Sequence, residues 1–263
     1  MSVTISSDAI AARFAALKSS GRKAFVPYVT AGHPDRARSV ALLQGLAGVG
    51  ADVIEVGVPF SDPLADGPVI QASSQAALAQ GMTYARVLEV IAEARLAVPV
   101  VLFSYLNPIL AAGPDALERA AQAGVHGVLV TDLPVGADAE RERWFGESPL
   151  AFIRLVAPTT PAERMRQIAM HGSGFVYVIS RLGVTGMRAD LPPELPATVA
   201  RLRSVTSLPI CVGFGVTGPE QAATVARLAD GVVVGSAIVE AAGRSVDAAV
   251  AFAASLRAAI DSA

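Results

Sequence analysis

The chain has 263 residues, 52% of them hydrophobic and 17% charged, so it carries ample apolar surface for one large core and too much for low-hydrophobicity disorder. A net charge of -2 without any block of Lys or Arg argues against a nucleic-acid partner, and no apolar stretch reaches the roughly 18 residues needed to cross a bilayer. A lone cysteine, Cys211, excludes an internal disulfide, and His33, His126 and His171 are scattered without metal-ligand spacing. Residues 1–8 have no basic segment followed by an apolar one, so the expected location is the cytosol and no membrane contact is expected.

In chain order, Ser7 and Asp8 can cap a first helix that carries Ile10, Phe14 and Leu17 on one face and ends at Gly21. Short β-branched or apolar runs then fall at 25–29, 52–58, 99–105, 127–131, 151–156, 174–180, 208–214 and 230–235. Ala-rich stretches of helical spacing lie between them, at 37–47, 69–79 with 85–94, 116–123, 137–145, 162–170, 196–204 and 220–228. A short helix over 237–241 and a last one over 246–260 complete the chain.

Strands alternating with helices imply parallel pairing through right-handed crossovers. Eight such units in this length predict a (β/α)8 TIM barrel of a single domain, residues 1–263, with an extra N-terminal helix plugging its bottom. An open doubly wound sheet is the other arrangement compatible with the pattern. Several strands, such as 128–130 and 232–234, are apolar on both faces, as a helix-covered barrel requires.

In such barrels the site lies at the C-terminal ends of the strands. Alternation along 52–57 puts Val53, Glu55 and Gly57 on the inner face, so Glu55 points into the mouth, where the bland reading would be a structural ion pair. The loop 59–68, stiffened by Pro59, Pro63 and Pro68, delivers Asp66 ahead of the next helix, where it could also serve as an N-cap; Asp62 reads as a turn or interface residue. Burial beside Tyr28, Phe103 and Tyr177 should keep Glu55 protonated, whereas a loop aspartate near water should stay ionised. After the seventh strand, Gly213-Phe214-Gly215 offers close backbone approach and positive φ; after the eighth, Gly235-Ser236 opens a short helix with Ser236 as N-cap. Together they form a seat for a phosphate. The segment 183–190, with Thr185 and Gly186, has the composition of a loop that closes over a ligand.

Four segments carry a resemblance: Phe-Val-Pro-Tyr-Val-Thr-Ala-Gly at 25–32, Glu-Val-Gly-Val-Pro-Phe-Ser-Asp-Pro-Leu-Ala-Asp-Gly-Pro at 55–68, Ser-Arg-Leu-Gly-Val-Thr-Gly at 180–186 and Gly-Phe-Gly-Val at 213–216. From about Phe14 to the last helix the sequence resembles the tryptophan synthase alpha-chain family. The resemblance implies retro-aldol cleavage of indole-3-glycerol phosphate to indole and glyceraldehyde 3-phosphate, with no cofactor in this chain. It implies Glu55 as the general acid/base and Asp66 as the carboxylate that binds the indole N–H. Tyr28, Phe103, Leu129 and Tyr177 would line the indole pocket, Thr185 would sit on the closing loop, and Gly186, Gly213, Phe214, Gly215, Gly235 and Ser236 would surround the phosphate.

The same resemblance implies an alpha2beta2 complex with a pyridoxal-phosphate beta chain, docked around Pro59, Asp62 and the segment Asp132 to Pro134. Two departures from the family pattern, His33 after Gly32 and Thr131 before Asp132, touch neither carboxylate. Three alternatives stay open on sequence alone: another phosphate-binding barrel enzyme, a stand-alone indole-releasing lyase, and a non-catalytic sensor of a phosphorylated ligand.

Overall fold

The computed structural model describes residues 8–179, 192–213 and 215–263. Eight strands, β1 (Ala24–Thr30), β2 (Ile54–Gly57), β3 (Val100–Ser104), β4 (Gly127–Val130), β5 (Ala151–Val156), β6 (Val176–Ile179), β7 (Ile210–Gly213) and β8 (Gly231–Val234), pair in parallel with their sequence neighbours. The sheet closes where β8 pairs with β1, from Ala24 opposite Gly231 to Pro27 opposite Val234. The fold is therefore the (β/α)8 TIM barrel, and the open sheet is excluded.

Among the described residues the helices are α1 (Asp8–Ser19), α2 (Arg36–Gly48), α3 (Pro68–Ala79), α4 (Tyr84–Ala94), α5 (Leu106–Ala111), α6 (Ala116–Gln122), α7 (Ala139–Glu147), α8 (Ala162–Met170), α9 (Leu195–Arg203), α10 (Pro219–Leu228), α11 (Ser236–Arg244) and α12 (Val246–Asp261). Helix α5 was not expected, because six residues with Pro108 in the first turn are too few to show a helical period. Helix α11 runs to Arg244, past the expected end, because Ile238, Val239 and Ala242 are buried against the barrel. Strand β2 is shorter at both ends than 52–58, although Asp52 and Val58 are buried and still donate their N–H groups to Phe25 O and Phe103 O at 2.9 Å.

The two-residue period of the strands sorts the interior into two apolar layers. One holds the outward residues, among them Phe25, Ile54, Val56, Leu102, Val128 and Val232, packed under the helices. The other fills the barrel with Val26, Tyr28, Val101, Phe103, Leu129, Ile153, Tyr177, Cys211 and Val233. Helix α1 closes the bottom as expected: Ile10, Phe14 and Leu17 belong to the inner layer, and the Phe14 and Phe175 rings lie 5.6 Å apart. The barrel makes room for this plug with a glycine, since a Cβ on Gly127 would stand 2.8 Å from Ile10 Cδ1. The Ser7 half of the expected cap lies outside the described residues.

A buried charge cluster ties the same end together. Asp52 is fully buried and accepts from Phe25 N (2.8 Å), Arg257 Nη1 (2.8 Å) and Arg13 Nη2 (2.5 Å). Arg257 in turn holds Asp261 at 2.7 Å and Lys23 O at 3.1 Å. Helices α1 and α12 are thus fastened to the starts of β1 and β2, leaving the opposite rim free for a site.

Candidate active site

Glu55 lies in the middle of β2, opposite Tyr28 on β1 and Val101 on β3. Alternation turns its side chain inward, where it is fully buried, and both carboxyl oxygens lack a hydrogen-bond partner among the described residues. Among the described residues it has no ion-pair partner. With Val101, Tyr28, Tyr177 and Cys211 in the same inner layer, little compensates a charge there, and desolvation raises the Glu55 pKa to about 8. At neutral pH it is a proton donor with unspent hydrogen-bonding capacity.

Asp66 reaches the same region from the β2–α3 loop. It does not cap α3: the N-cap is Gly67, with Pro68 opening the helix. The structure corrects one expectation, because Asp66 is no wet loop aspartate; it is 8% exposed, and desolvation raises its pKa to about 6, against a hydrogen bond with Tyr105 that lowers it. The two acids nevertheless separate as expected, since a neutral Glu55 and an ionised Asp66 coexist near pH 7. Asp62 stays in the exposed part of the loop, hydrogen-bonded to Ser61.

Aromatic side chains wall the space between them. Tyr28 meets Phe103 edge-on at 5.3 Å, and Phe103 pairs in register with Leu129. Burial and the nearby Asp66 and Glu55 push the Tyr28 phenol well above its ordinary pKa; burial and Glu55 do the same for Tyr177. Both phenols therefore remain protonated and close to the acids. Two strand-end glycines admit them: a Cβ on Gly57 would lie 2.0 Å from Tyr28 Oη, and one on Gly213 would lie 2.1 Å from Tyr177 Oη.

The proposed anion seat follows β7 and β8. Gly215 has φ +99°, a conformation that side chains rarely adopt. Gly213 is required for a different reason than expected, the room taken by Tyr177, and not for a positive φ. Gly235, and not Ser236, is the N-cap of α11; Ser236 is the first helical residue, and no side chain caps this end, so its early N–H groups face the rim. Gly235 lies against Tyr28, whose Cβ would be 3.5 Å from a Cβ at 235, which joins the seat to the carboxylates through one residue. Thr185, Gly186, Phe214 and the rest of the 183–190 loop lie outside the described residues.

Sequence reasoning missed Tyr105. It ends the run 99–105 and was counted as strand, yet its hydroxyl accepts the Ala65 N–H at 2.9 Å and its ring lies 5.2 Å from that of Phe60. The available signal was an aromatic residue at a strand's C-terminal end. His33 is half-buried with Nε2 toward α11, 3.6 Å from a Cβ built on Gly243, and burial lowers its pKa. Among the described residues no group of three or more His, Cys, Asp or Glu is placed to hold a metal, and no helix is long and apolar enough to cross a membrane.

A parallel eight-stranded barrel with a neutral glutamic acid, a buried aspartate and glycine-built turns on one rim defines a class, the TIM-barrel enzymes that work at the C-terminal face of their strands. The family model of the tryptophan synthase alpha chain matches residues 14–261. The tryptophan synthase alpha chain of Gluconacetobacter diazotrophicus is 49% identical over 91% of this chain and 89% of its own length; that of Desulfatibacillum aliphaticivorans is 48% identical over 85% and 86%. Among solved structures, tryptophan synthase of Mycobacterium tuberculosis superposes with a TM-score of 0.89 at 36% identity, covering 96% of this chain and 98% of that one. Tryptophan synthase subunit alpha of Legionella pneumophila gives 0.87 at 38% identity, covering 97% and 98%. The chain belongs to the tryptophan synthase alpha-chain family.

Proposed function

We propose that this chain cleaves indole-3-glycerol phosphate to indole and glyceraldehyde 3-phosphate, a carbon–carbon lyase reaction late in tryptophan biosynthesis. The observation that carries the reading is the pairing of a buried, unpartnered Glu55 with Asp66 on one rim of the barrel. Neutral Glu55 protonates indole C3, and the ring becomes an electron sink. Ionised Asp66 accepts the indole N–H and stabilises the positive charge that spreads to nitrogen. The hydroxyl on the carbon attached to C3 then gives its proton to water or to the carboxylate that Glu55 has become, the C–C bond breaks, and its electron pair restores the indole. One proton enters at C3 and one leaves the hydroxyl, so no net acid is consumed. Tyr28, Phe103, Leu129 and Tyr177 enclose the indole, Gly213, Gly215, Gly235 and Ser236, with Gly186 and Phe214, hold the phosphate, and Thr185 belongs to the loop that closes over the ligand.

In this reading the chain itself needs no cofactor and acts in the cytosol. It delivers indole to a pyridoxal-phosphate beta chain in an alpha2beta2 complex. A partner docked on the rim segment between Pro59 and Asp66 would cover Leu64, which is 88% exposed. The test is indole release from indole-3-glycerol phosphate, with and without a beta chain. No indole under either condition would reject the reading, and full activity alone would favour the stand-alone lyase. Gly235→Asp, which sets charge and bulk at the anion seat, should abolish substrate binding, whereas Gly235→Ala, whose Cβ meets Tyr28 at an ordinary 3.5 Å, should retain it.

A further inference from the structure

Asp66 sits on a loop, yet its proposed role demands placement within a fraction of an ångström. The β2–α3 loop has turns of its own, Leu64 N to Asp62 O at 2.9 Å and Asp66 N to Pro63 O at 3.0 Å, but these bind the loop to itself. Its attachment to the barrel comes from the end of β3. Tyr105 is 5% exposed; its ring packs against Phe60 at the start of the loop, and its hydroxyl takes the N–H of Ala65, the residue before Asp66. Accepting from Ala65 leaves the phenolic proton unspent, and the Asp66 carboxyl is near enough to bear on the titration of this phenol.

Tyr105 is itself fixed from the far side. It occupies the N-cap position of α5, and the next residue, Leu106, donates its N–H to Asp132 Oδ1 at 2.7 Å, anchoring the turn to the segment after β4. One side chain thus joins both ends of the loop that carries Asp66, Phe60 through its ring and Ala65 through its hydroxyl.

We propose that Tyr105 is the positioning residue of the Asp66 carboxylate, holding the loop by Phe60 and Ala65 and orienting the anion by a hydrogen bond from its hydroxyl. The inference rests on the reading of Asp66 as the indole N–H acceptor. The charged and titratable groups facing this pair are Tyr28 from β1, which feels both Asp66 and Tyr105, and Asp132 from the β4–α7 segment, whose charge raises the Tyr105 phenol pKa. A donor to a carboxylate favours the ionised form, so removing it raises the pH at which Asp66 becomes a usable base.

The test is Tyr105→Phe in the full chain, which keeps the ring beside Phe60. Turnover should fall roughly tenfold, the loss expected for a hydrogen bond to a charged group, with KM changed less than about twofold on the same basis, and the acid limb of the kcat profile should move to higher pH. In an Asp66→Asn background the substitution should cost nothing further. Unchanged kcat and acid limb would overturn the proposal. So would a parallel loss of kcat, affinity and thermal stability with the limb in place, since that marks mere packing. Should the variant not fold, NMR on the unaltered protein decides: the Asp66 carboxyl carbon and the Tyr105 ring must report one common titration step, and independent titration rejects the pairing. If neither protein releases indole, the reaction assignment has failed, and the titration still judges Tyr105.

Discussion

The Tyr28 hydroxyl occupies the space that a side chain at position 57 would need: a Cβ built on Gly57 stands 2.0 Å from Tyr28 Oη and 2.5 Å from Cζ. A phenol enclosed on β1 beside Phe103 has little room to retreat. Gly57→Ala should therefore displace Tyr28 and cost about 1–3 kcal/mol of stability, as overpacking does. It should lower kcat/KM at least tenfold, by about 1.4 kcal/mol of lost transition-state binding. Paired denaturation curves and kinetics check this; an unchanged variant on both counts would show that Tyr28 moves aside freely.

The two acids set the pH response. Turnover requires Asp66 as its anion and Glu55 as the acid, so the rate should rise through the Asp66 pKa of about 6 and fall through the Glu55 pKa of about 8. The expected kcat profile is a bell centred near neutrality. Asp66→Asn should flatten the acid limb while lowering the plateau. A profile that stays level well above pH 8 would exclude Glu55 as the donor.

Glu55 should also burden the fold. Its carboxyl has a folded pKa of about 8 against an ordinary value of 4.5, so between these pH values the folded state holds a proton that the unfolded state has released. Stability contributed by this group is then intact near pH 4.5 and declines as pH rises toward 8. Glu55→Gln should raise the melting temperature more at pH 8.5 than at pH 5, by an amount on the order of a few kcal/mol in stability, while cutting turnover by roughly 10²-fold. An equal melting shift at both pH values would refute the unpaired-acid assignment.

The charge cluster at the other end should separate folding from catalysis. Asp52→Ala leaves Arg257 buried with Asp261 as its remaining carboxylate partner, and breaking a buried pair costs about 3–5 kcal/mol. Because Asp52 precedes β2 and is bonded to Arg13 and Arg257 at the end of the barrel opposite Asp66 and the glycine turns, kcat measured well below the melting temperature should be unchanged. A large loss of kcat in protein verified as folded would show that the two ends communicate.

Much of this was legible locally. Short apolar runs separated by Ala-rich helical stretches imply parallel strands, eight of which fit a barrel, and alternation turns Glu55 to one face of its strand, because successive side chains on a strand must point to opposite faces. The Ile10, Phe14 and Leu17 stripe likewise identified the plug. Helix α5 and the cap at Gly235 were misread because single-turn helices and N-caps depend on what they pack against.

Composition, periodicity and spacing thus determined the fold class, the face on which Glu55 lies and the rim on which Asp66 and the glycine turns gather. The closed barrel decided the rest. It withdrew Asp66 from solvent, left Glu55 without a hydrogen-bond partner among the described residues, set two phenols against the glycines at 57 and 213 and brought Tyr105 beside the loop of Asp66, 39 positions away. Desolvation and steric exclusion depend on what the remainder of the chain brings to a point in space, and no local stretch of sequence records that.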